Sequence, residues 1–220
     1  MHCLILAATP IEIAPLMEAI QNKDLIKSLP DIDVLIGGIG LTATTYSLTK
    51  YLHLKRPECI IQAGVGGCFD LNIPLGTVVA VKNETIADQS VMELKTLKTL
   101  FDLKLLPEEQ APFKKGKLPN DTGLLKLFKG KKVNGISVNE ITTDKKRVRL
   151  YEQQFHPVVE SMEGAALHYV ARMEKIPFIQ LRSMSNYIAE RNKKKWNMKE
   201  AVGNLNEALL KLLMTIQKNA

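Results

Sequence analysis

The feature that most constrains this chain is a set of short runs that stay apolar instead of alternating, among them Leu4-Ile5-Leu6, Cys59-Ile60-Ile61 and Val78-Val79-Ala80-Val81. A strand with one wet face alternates apolar and polar residues, so a strand without alternation must be covered on both faces. β-rich runs at His2–Leu6, Val34–Ile36, Cys59–Gln62, Thr77–Val81, Val133–Val138 and Pro177–Leu181 are interleaved with helical patterns over Ile11–Asn22, Ala43–Lys55, Glu163–Glu174 and Met198–Gln217. This interleaving predicts an α/β protein with helices on both faces of a sheet. The last helix carries Ala201, Leu205, Ala208, Leu209, Leu212, Leu213 and Ile216 on one stripe of helical period. A length of 220 residues suits one domain over 1–220 with a full core. Residues 91–132 are the least legible: Lys-rich and broken by Pro107, Pro112 and Pro119. They fit either a helix-and-loop insertion at a substrate mouth or a surface excursion.

Several function classes fall away. No apolar run is long enough to span a membrane. The start, Met1-His2-Cys3-Leu4-Ile5-Leu6, lacks a basic n-region and reads as a first strand, not a signal peptide. Cys3, Cys59 and Cys68 are odd in number and without metal-ligand spacing, which predicts core thiols in a reducing cytoplasm. The net charge of +7 falls in patches at Lys114-Lys115, Lys129 with Lys131-Lys132, Lys145-Lys146-Arg147, and Arg191 with Lys193-Lys194-Lys195. Aromatic residues make up only 5% of the chain, too few to interleave these patches as a nucleic-acid surface would require. They read as solvated loops and helix edges. The first strand ends Ala7-Ala8-Thr9-Pro10, with no glycine fingerprint for a dinucleotide.

The stretch richest in chemistry is Val159-Glu160-Ser161-Met162-Glu163-Gly164-Ala165-Ala166, a strand running into a helix with an acidic side chain at its mouth. About twenty residues later the strand Phe178–Leu181 ends in a polar tip, Arg182-Ser183-Met184-Ser185-Asn186. A carboxylate and an amide at the ends of neighbouring elements make a ligand site. Two glycine-rich segments, Gly37-Gly38-Ile39-Gly40 and Gly64-Val65-Gly66-Gly67, read as turns after strands, where a backbone can approach a ligand closely.

These motifs resemble the nucleoside phosphorylase and nucleosidase superfamily, whose pattern M-E-G/A-A-A followed by R-x-x-S-D/N they match. Ala8-Thr9-Pro10-Ile11-Glu12, Gly38-Ile39-Gly40, and Gly64–Gly67 followed by Pro74–Val79 extend the resemblance over almost the whole chain. Within the superfamily the chain is most similar to the futalosine hydrolases of menaquinone biosynthesis, in E-S-M-E-G-A-A, in Asn186 where adenine-releasing members carry Asp, and in Arg191 with Trp196. The resemblance implies a three-layer α/β/α fold with a central mixed sheet. It implies N-ribosidic hydrolysis of futalosine to hypoxanthine and dehypoxanthinyl futalosine, with no metal or cofactor. It also implies a nucleoside as ligand, no nucleic-acid or membrane partner, and a homodimer or larger homo-oligomer. Glu12 would activate water and Asn186 would hold the departing base. Val65, Gly66, Met162, Glu163, Ser185 and Arg191 would bind substrate, with Glu163 on the ribose hydroxyls.

Read without the family, Glu12 is equally a first-turn carboxylate favoured by the helix dipole, and Met162 is a packing residue. An amide can meet the edge of a 6-oxopurine or of a 6-aminopurine, so Asn186 alone leaves the base open. Phosphorylases of the superfamily carry G-x-x-x-R after the first strand, where this chain has Thr9-Pro10-Ile11-Glu12-Ile13, which favours water over phosphate as acceptor. An inosine- or methylthioadenosine-type nucleosidase and a nucleoside-binding protein without turnover remain the alternatives. A lysine of the 114–117 patch or Arg191 could meet an aromatic carboxylate at the far end of the ribose.

Overall fold

A computed structural model describes residues 1–219. The strands are β1 (His2–Ala7), β2 (Asp31–Ile36), β3 (Cys59–Cys68), β4 (Val78–Ile86), β5 (Ser90–Glu93), β6 (Thr96–Thr99), β7 (Leu118–Pro119), β8 (Lys132–Ser137), β9 (Val159–Ser161) and β10 (Phe178–Tyr187). The helices are α1 (Pro10–Ala19), α2 (Lys23–Ile26), α3 (Leu41–Leu54), α4 (Leu124–Leu127), α5 (Lys145–Phe155), α6 (Gly164–Met173) and α7 (Met198–Lys218). The mixed α/β class expected from the sequence is therefore present, and its apolar strands are covered on both faces. Cys3, Ile5 and Ala7 of β1 face α1 and α7, while Leu4 and Leu6 face α3 and α6. The α7 stripe is buried at Ala201, Leu205, Leu209, Leu212, Leu213 and Ile216, and Ala208 packs at its margin. All three cysteines are free and buried. Among the described residues no helix is long and apolar enough to cross a membrane.

The sheet is mixed and it closes on itself. β1 lies between β2 and β3 with both pairings parallel, β3 continues to β10, β10 pairs antiparallel with β4, and β8 and β9 follow. β9 then returns to β3, completing a ring of five strands. Closure is possible because one edge of β3 serves two partners. Cys59–Gln62 pair with β1, and Gly67–Cys68 pair with β9. The glycines between and beside these segments are where the strand changes partner. A Cβ on Gly66 would press on the Glu160 carbonyl and Val159, so only glycine lets β9 approach.

Two expectations are corrected here. Gly64–Gly67 is not a turn after a strand; it is the second half of β3. Arg182–Asn186 is not an exposed tip, because β10 runs on to Tyr187 and Arg182 is 1% exposed. The Lys145-Lys146-Arg147 patch opens α5, with Asp144 accepting from the Lys146 and Arg147 N–H groups as N-cap. Of the two readings of residues 91–132, the excursion is observed: part of the β5–β6 hairpin, a short strand on β4 and the small helix α4. Phe113 packs edge-on between Phe101 and Tyr169, tying the segment to the outer side of α6.

The strand ring holds a polar interior. Glu84 is fully buried, and its Oε1 accepts from the Ser137 hydroxyl at 3.0 Å. Burial pushes its pKa up to about 7, against the opposing pull of Arg182. His168, stacked edge-on against Phe178 and bonded through Nδ1 to the Leu118 carbonyl, is pushed down to about 4 by burial. These two groups bracket the pH range of greatest stability. The folded protein holds the Glu84 proton longer than the unfolded chain, so stability falls as pH rises from the ordinary carboxylate range to about 7. The folded protein refuses the His168 proton, so stability also falls as pH drops from the ordinary imidazole range to about 4. Replacing Glu84 by Gln should remove the first loss. Thermal melts should show the variant gaining on the wild-type protein between pH 5 and pH 8, by roughly 3 kcal/mol, and parallel curves would mean that Glu84 holds no proton at neutral pH.

Candidate active site

The carboxyl ends of the parallel strands β1, β3 and β10 open onto a cavity of about 380 Å³. All eight residues singled out in the sequence line it: Glu12, Val65, Gly66, Met162, Glu163, Ser185, Asn186 and Arg191. They arrive from four separate parts of the fold, which are the mouth of α1, the far half of β3, the β9–α6 junction, and the end of β10 with the loop after it. Lys114, Lys115 and Lys117 do not line it, so only Arg191 of the proposed carboxylate partners lies at this cavity.

Glu12 stands at the third position of α1, where its first-turn reading holds, and it also lines the cavity. Its Oε2 accepts from the Thr9 N–H at 3.1 Å, closing a capping box, while its Oε1 accepts from the Val65 N–H at 3.0 Å. The Thr9 hydroxyl also donates to Oε2 at 3.4 Å, so the carboxylate is held between α1 and β3 with a lone pair remaining on Oε1. The backbone beneath it is anchored from the other end of the chain. Asn206 of α7 donates to the Glu12 carbonyl at 2.8 Å and accepts from the Leu16 N–H at 3.0 Å. Those are the two backbone groups that an α-helix pairs with each other, and Pro15 loosens this turn by lacking an N–H. A side-chain amide is thus interleaved with the ladder of α1.

Glu163 lies at the mouth of α6, 6% exposed. Its Oε1 accepts from the Gly40 N–H at 3.1 Å, and its Oε2 pairs with Arg182 Nη1 at 3.4 Å. Arg182 is the buried charge beside the cavity whose position the sequence reading did not disclose. Its guanidinium also donates to Gln62 Oε1 at 3.1 Å and to the Val65 carbonyl at 3.4 Å. It crosses β3 at Gly64, where any Cβ would overlap Nη1. The signal was available: an Arg at the end of an apolar strand, four residues before Asn186, is a charge that must find a partner if the strand continues.

Asn186 donates to the Tyr187 carbonyl at 3.0 Å and accepts from the Ser185 hydroxyl at 2.9 Å. This fixes the amide and leaves one N–H and one carbonyl lone pair for a ligand. At the rim the Arg191 guanidinium lies over the Trp196 ring at 5.9 Å, and the indole N–H is tied to the Glu190 carbonyl at 3.0 Å. Met162 is half-buried in the wall. Among the described residues no cluster of His, Cys, Asp and Glu could hold a metal ion.

The Asn206 clamp makes a prediction independent of any ligand. Asn206→Asp keeps an acceptor for Leu16 but sets a lone pair against the Glu12 carbonyl. It should lower stability by about 1–3 kcal/mol and speed hydrogen exchange at the Leu16 amide. Unchanged exchange at Leu16 would show that α1 does not depend on the clamp.

Comparison with known proteins places this geometry. The family model described as the phosphorylase superfamily matches residues 32–216. A futalosine hydrolase of Streptomyces coelicolor is 25% identical over 99% of this chain and 97% of its own length. A 5′-methylthioadenosine/S-adenosylhomocysteine nucleosidase of Maridesulfovibrio salexigens is 28% identical over 73% of this chain and 70% of its own length. Among solved structures, a futalosine hydrolase of Helicobacter pylori superposes with a TM-score of 0.78 at 19% identity, covering 96% of this chain and 97% of that one. An adenine complex of the nucleosidase from Colwellia psychrerythraea gives 0.78 at 18% identity, covering 98% and 95%. With the family match spanning most of its length and the fold shared throughout, this chain belongs to the phosphorylase superfamily.

Proposed function

We propose that this protein hydrolyses the N-ribosidic bond of a purine nucleoside, and that the nucleoside is futalosine, giving hypoxanthine and dehypoxanthinyl futalosine for menaquinone biosynthesis. The observation that carries the reading is the meeting of two buried carboxylates, Glu12 and Glu163, with the fixed amide of Asn186 in one cavity. The full-length similarity to a futalosine hydrolase supports the choice of substrate.

Cleavage leaves positive charge on the ribose and sends the bonding electron pair to the purine. Glu12 accepts the proton of a water as the water's oxygen bonds the anomeric carbon, and the purine, leaving with the electron pair, takes up a proton from solvent to become neutral hypoxanthine. Glu163 accepts hydrogen bonds from the ribose hydroxyls, and its pairing with Arg182 holds it in place. Asn186 bonds the departing base at its N7 and six-position edge, and Met162 packs against the sugar. Val65 and Gly66 form the floor, where the Val65 N–H is already committed to Glu12. Ser185 steadies the Asn186 amide. Arg191, backed by Trp196, meets the carboxylate at the far end of the substrate.

Water as acceptor follows from the charges. The only Lys or Arg in the described lining is Arg191 at the rim, while Arg182 behind the wall is engaged by Glu163, Gln62 and Val65. A phosphate dianion would meet Glu12 and Glu163 with no free cation beside them. Base release should therefore proceed without phosphate and yield a free sugar, faster from futalosine than from inosine, aminofutalosine or methylthioadenosine. Recovery of a sugar 1-phosphate would sink the hydrolase reading, and a different fastest nucleoside would sink futalosine alone. Glu12→Gln should lower turnover about 10²–10⁴-fold while substrate still binds; near-normal turnover would leave Glu12 only its capping role.

A second copy of the chain is part of this reading. Ile11, Ile39 and Ile141 line the cavity yet are 71%, 62% and 46% exposed. Large apolar groups gathered at a ligand mouth mark an interface, and a homodimer would cover them. Light scattering should give twice the chain mass, and a monomer at working concentration would refute it.

A further inference from the structure

Of the acidic residues in the motif Glu160-Ser161-Met162-Glu163, only Glu163 has so far been given a task. Glu160 also lines the cavity and is 5% exposed. Its Oε1 accepts from the Thr142 N–H at 3.1 Å. Its Oε2 has no hydrogen-bond partner among the described residues, and neither does the hydroxyl of Thr142 beside it. A buried carboxyl with an unused oxygen is costly unless a donor reaches it. The burial raises its pKa, the shift that an incoming N–H donor would offset.

The sheet register places this carboxyl opposite Asn186. Gly67 of β3 pairs with Asn186 of β10 on one side and with Glu160 of β9 on the other. Residues paired across adjacent strands project to the same face, so the two side chains flank a glycine that has none. Two strand spacings separate their backbones, roughly 10 Å, which suits a flat heterocycle with a hydrogen bond at each edge. Ile188 lies against Gly67, close enough that a Cβ there would overlap it, and offers an apolar surface for the ring.

We propose that Glu160 is the residue that selects a 6-oxopurine, by accepting the N1–H of the base while Asn186 holds the opposite edge. Asn186 retains one donor and one acceptor, which match O6 and a protonated N7 of a 6-oxopurine but also N7 and the amine of a 6-aminopurine. N1 breaks the tie. A 6-oxopurine carries a hydrogen there and a 6-aminopurine carries a lone pair, which an ionised carboxylate repels. The torsion at the end of a glutamate side chain is broad and soft, so an oxygen of Glu160 can turn to the base without backbone movement. The assignment rests on the purine reading of the cavity, and it needs no turnover to be tested.

Calorimetric titration with free bases separates the two claims. The unaltered protein should bind hypoxanthine about tenfold or more tighter than adenine and than 1-methylhypoxanthine, which lacks the N1–H. In Glu160→Gln, whose amide can turn either edge to N1, the hypoxanthine-to-adenine ratio should fall about tenfold or more. A ratio that does not change, with both bases weakened alike, would show Glu160 to be structural and overturn the proposal. Equal binding of hypoxanthine and 1-methylhypoxanthine by the unaltered protein would overturn it without any variant. A protein that shows the expected base ratios but releases no base from any nucleoside would keep Glu160 in this role and refute the hydrolase reading instead.

Discussion

The buried guanidinium of Arg182 is the constraint around which the rest of the site is arranged. A charge that is 1% exposed needs partners, and here Nη1 and Nη2 find Glu163 before α6 and Gln62 and the Val65 carbonyl on β3. Removing either member of such a pair commonly costs about 3–5 kcal/mol, because it leaves the other charge buried alone. The pairing fixes three things together. β10 must lie beside β3, Gly64 must lack a side chain so that Arg182 can cross it, and the mouth of α6 must present its carboxylate inward. The interaction therefore links the sheet to the cavity.

The glycines of β3 carry the same logic to the neighbouring strand. Gly66 admits the backbone of β9, and Gly67 separates Asn186 from Glu160. A strand with ordinary side chains at these positions could not change partners along one edge, so the five-strand ring would not close. Where the ring closes it gathers strand ends and helix mouths. The cavity lies there because the carboxyl ends of parallel strands leave a crevice.

Glu12 shows how one side chain can cap a helix and line a cavity together. As the third residue of α1 it satisfies the Thr9 N–H, and as a cavity wall it is bonded to the Val65 N–H. Neither role excludes the other, since a carboxylate oxygen accepts more than one bond. The interleaved amide of Asn206, nearly two hundred residues away, holds the same turn from behind. A carboxylate fixed at three points is preorganised, and fixed polar groups need little rearrangement when charge develops beside them.

The sequence by itself determined the apolar strands, the helices that cover them and the residue types that meet in the cavity. Apolar runs without alternation dictated strands covered on both faces, and the stripe from Ala201 to Ile216 dictated a helix with one buried side, because these patterns are local consequences of burial. The residue types at positions 12, 163 and 186 limited the reactions available, since an amide cannot titrate and a carboxylate can. The tertiary structure decided how far the strands run. Gly64–Gly67 and Arg182–Asn186 look like turns and tips locally, yet they remain in strands because β3 and β10, more than a hundred residues apart, supply each other's hydrogen bonds and Glu163 pairs with Arg182. It also decided that residues 91–132 lie away from the cavity while Asn206 supports Glu12 and Glu160 faces Asn186 across Gly67. Those relations depend on register and on contacts between distant segments, and a local pattern of polar and apolar residues carries no record of either.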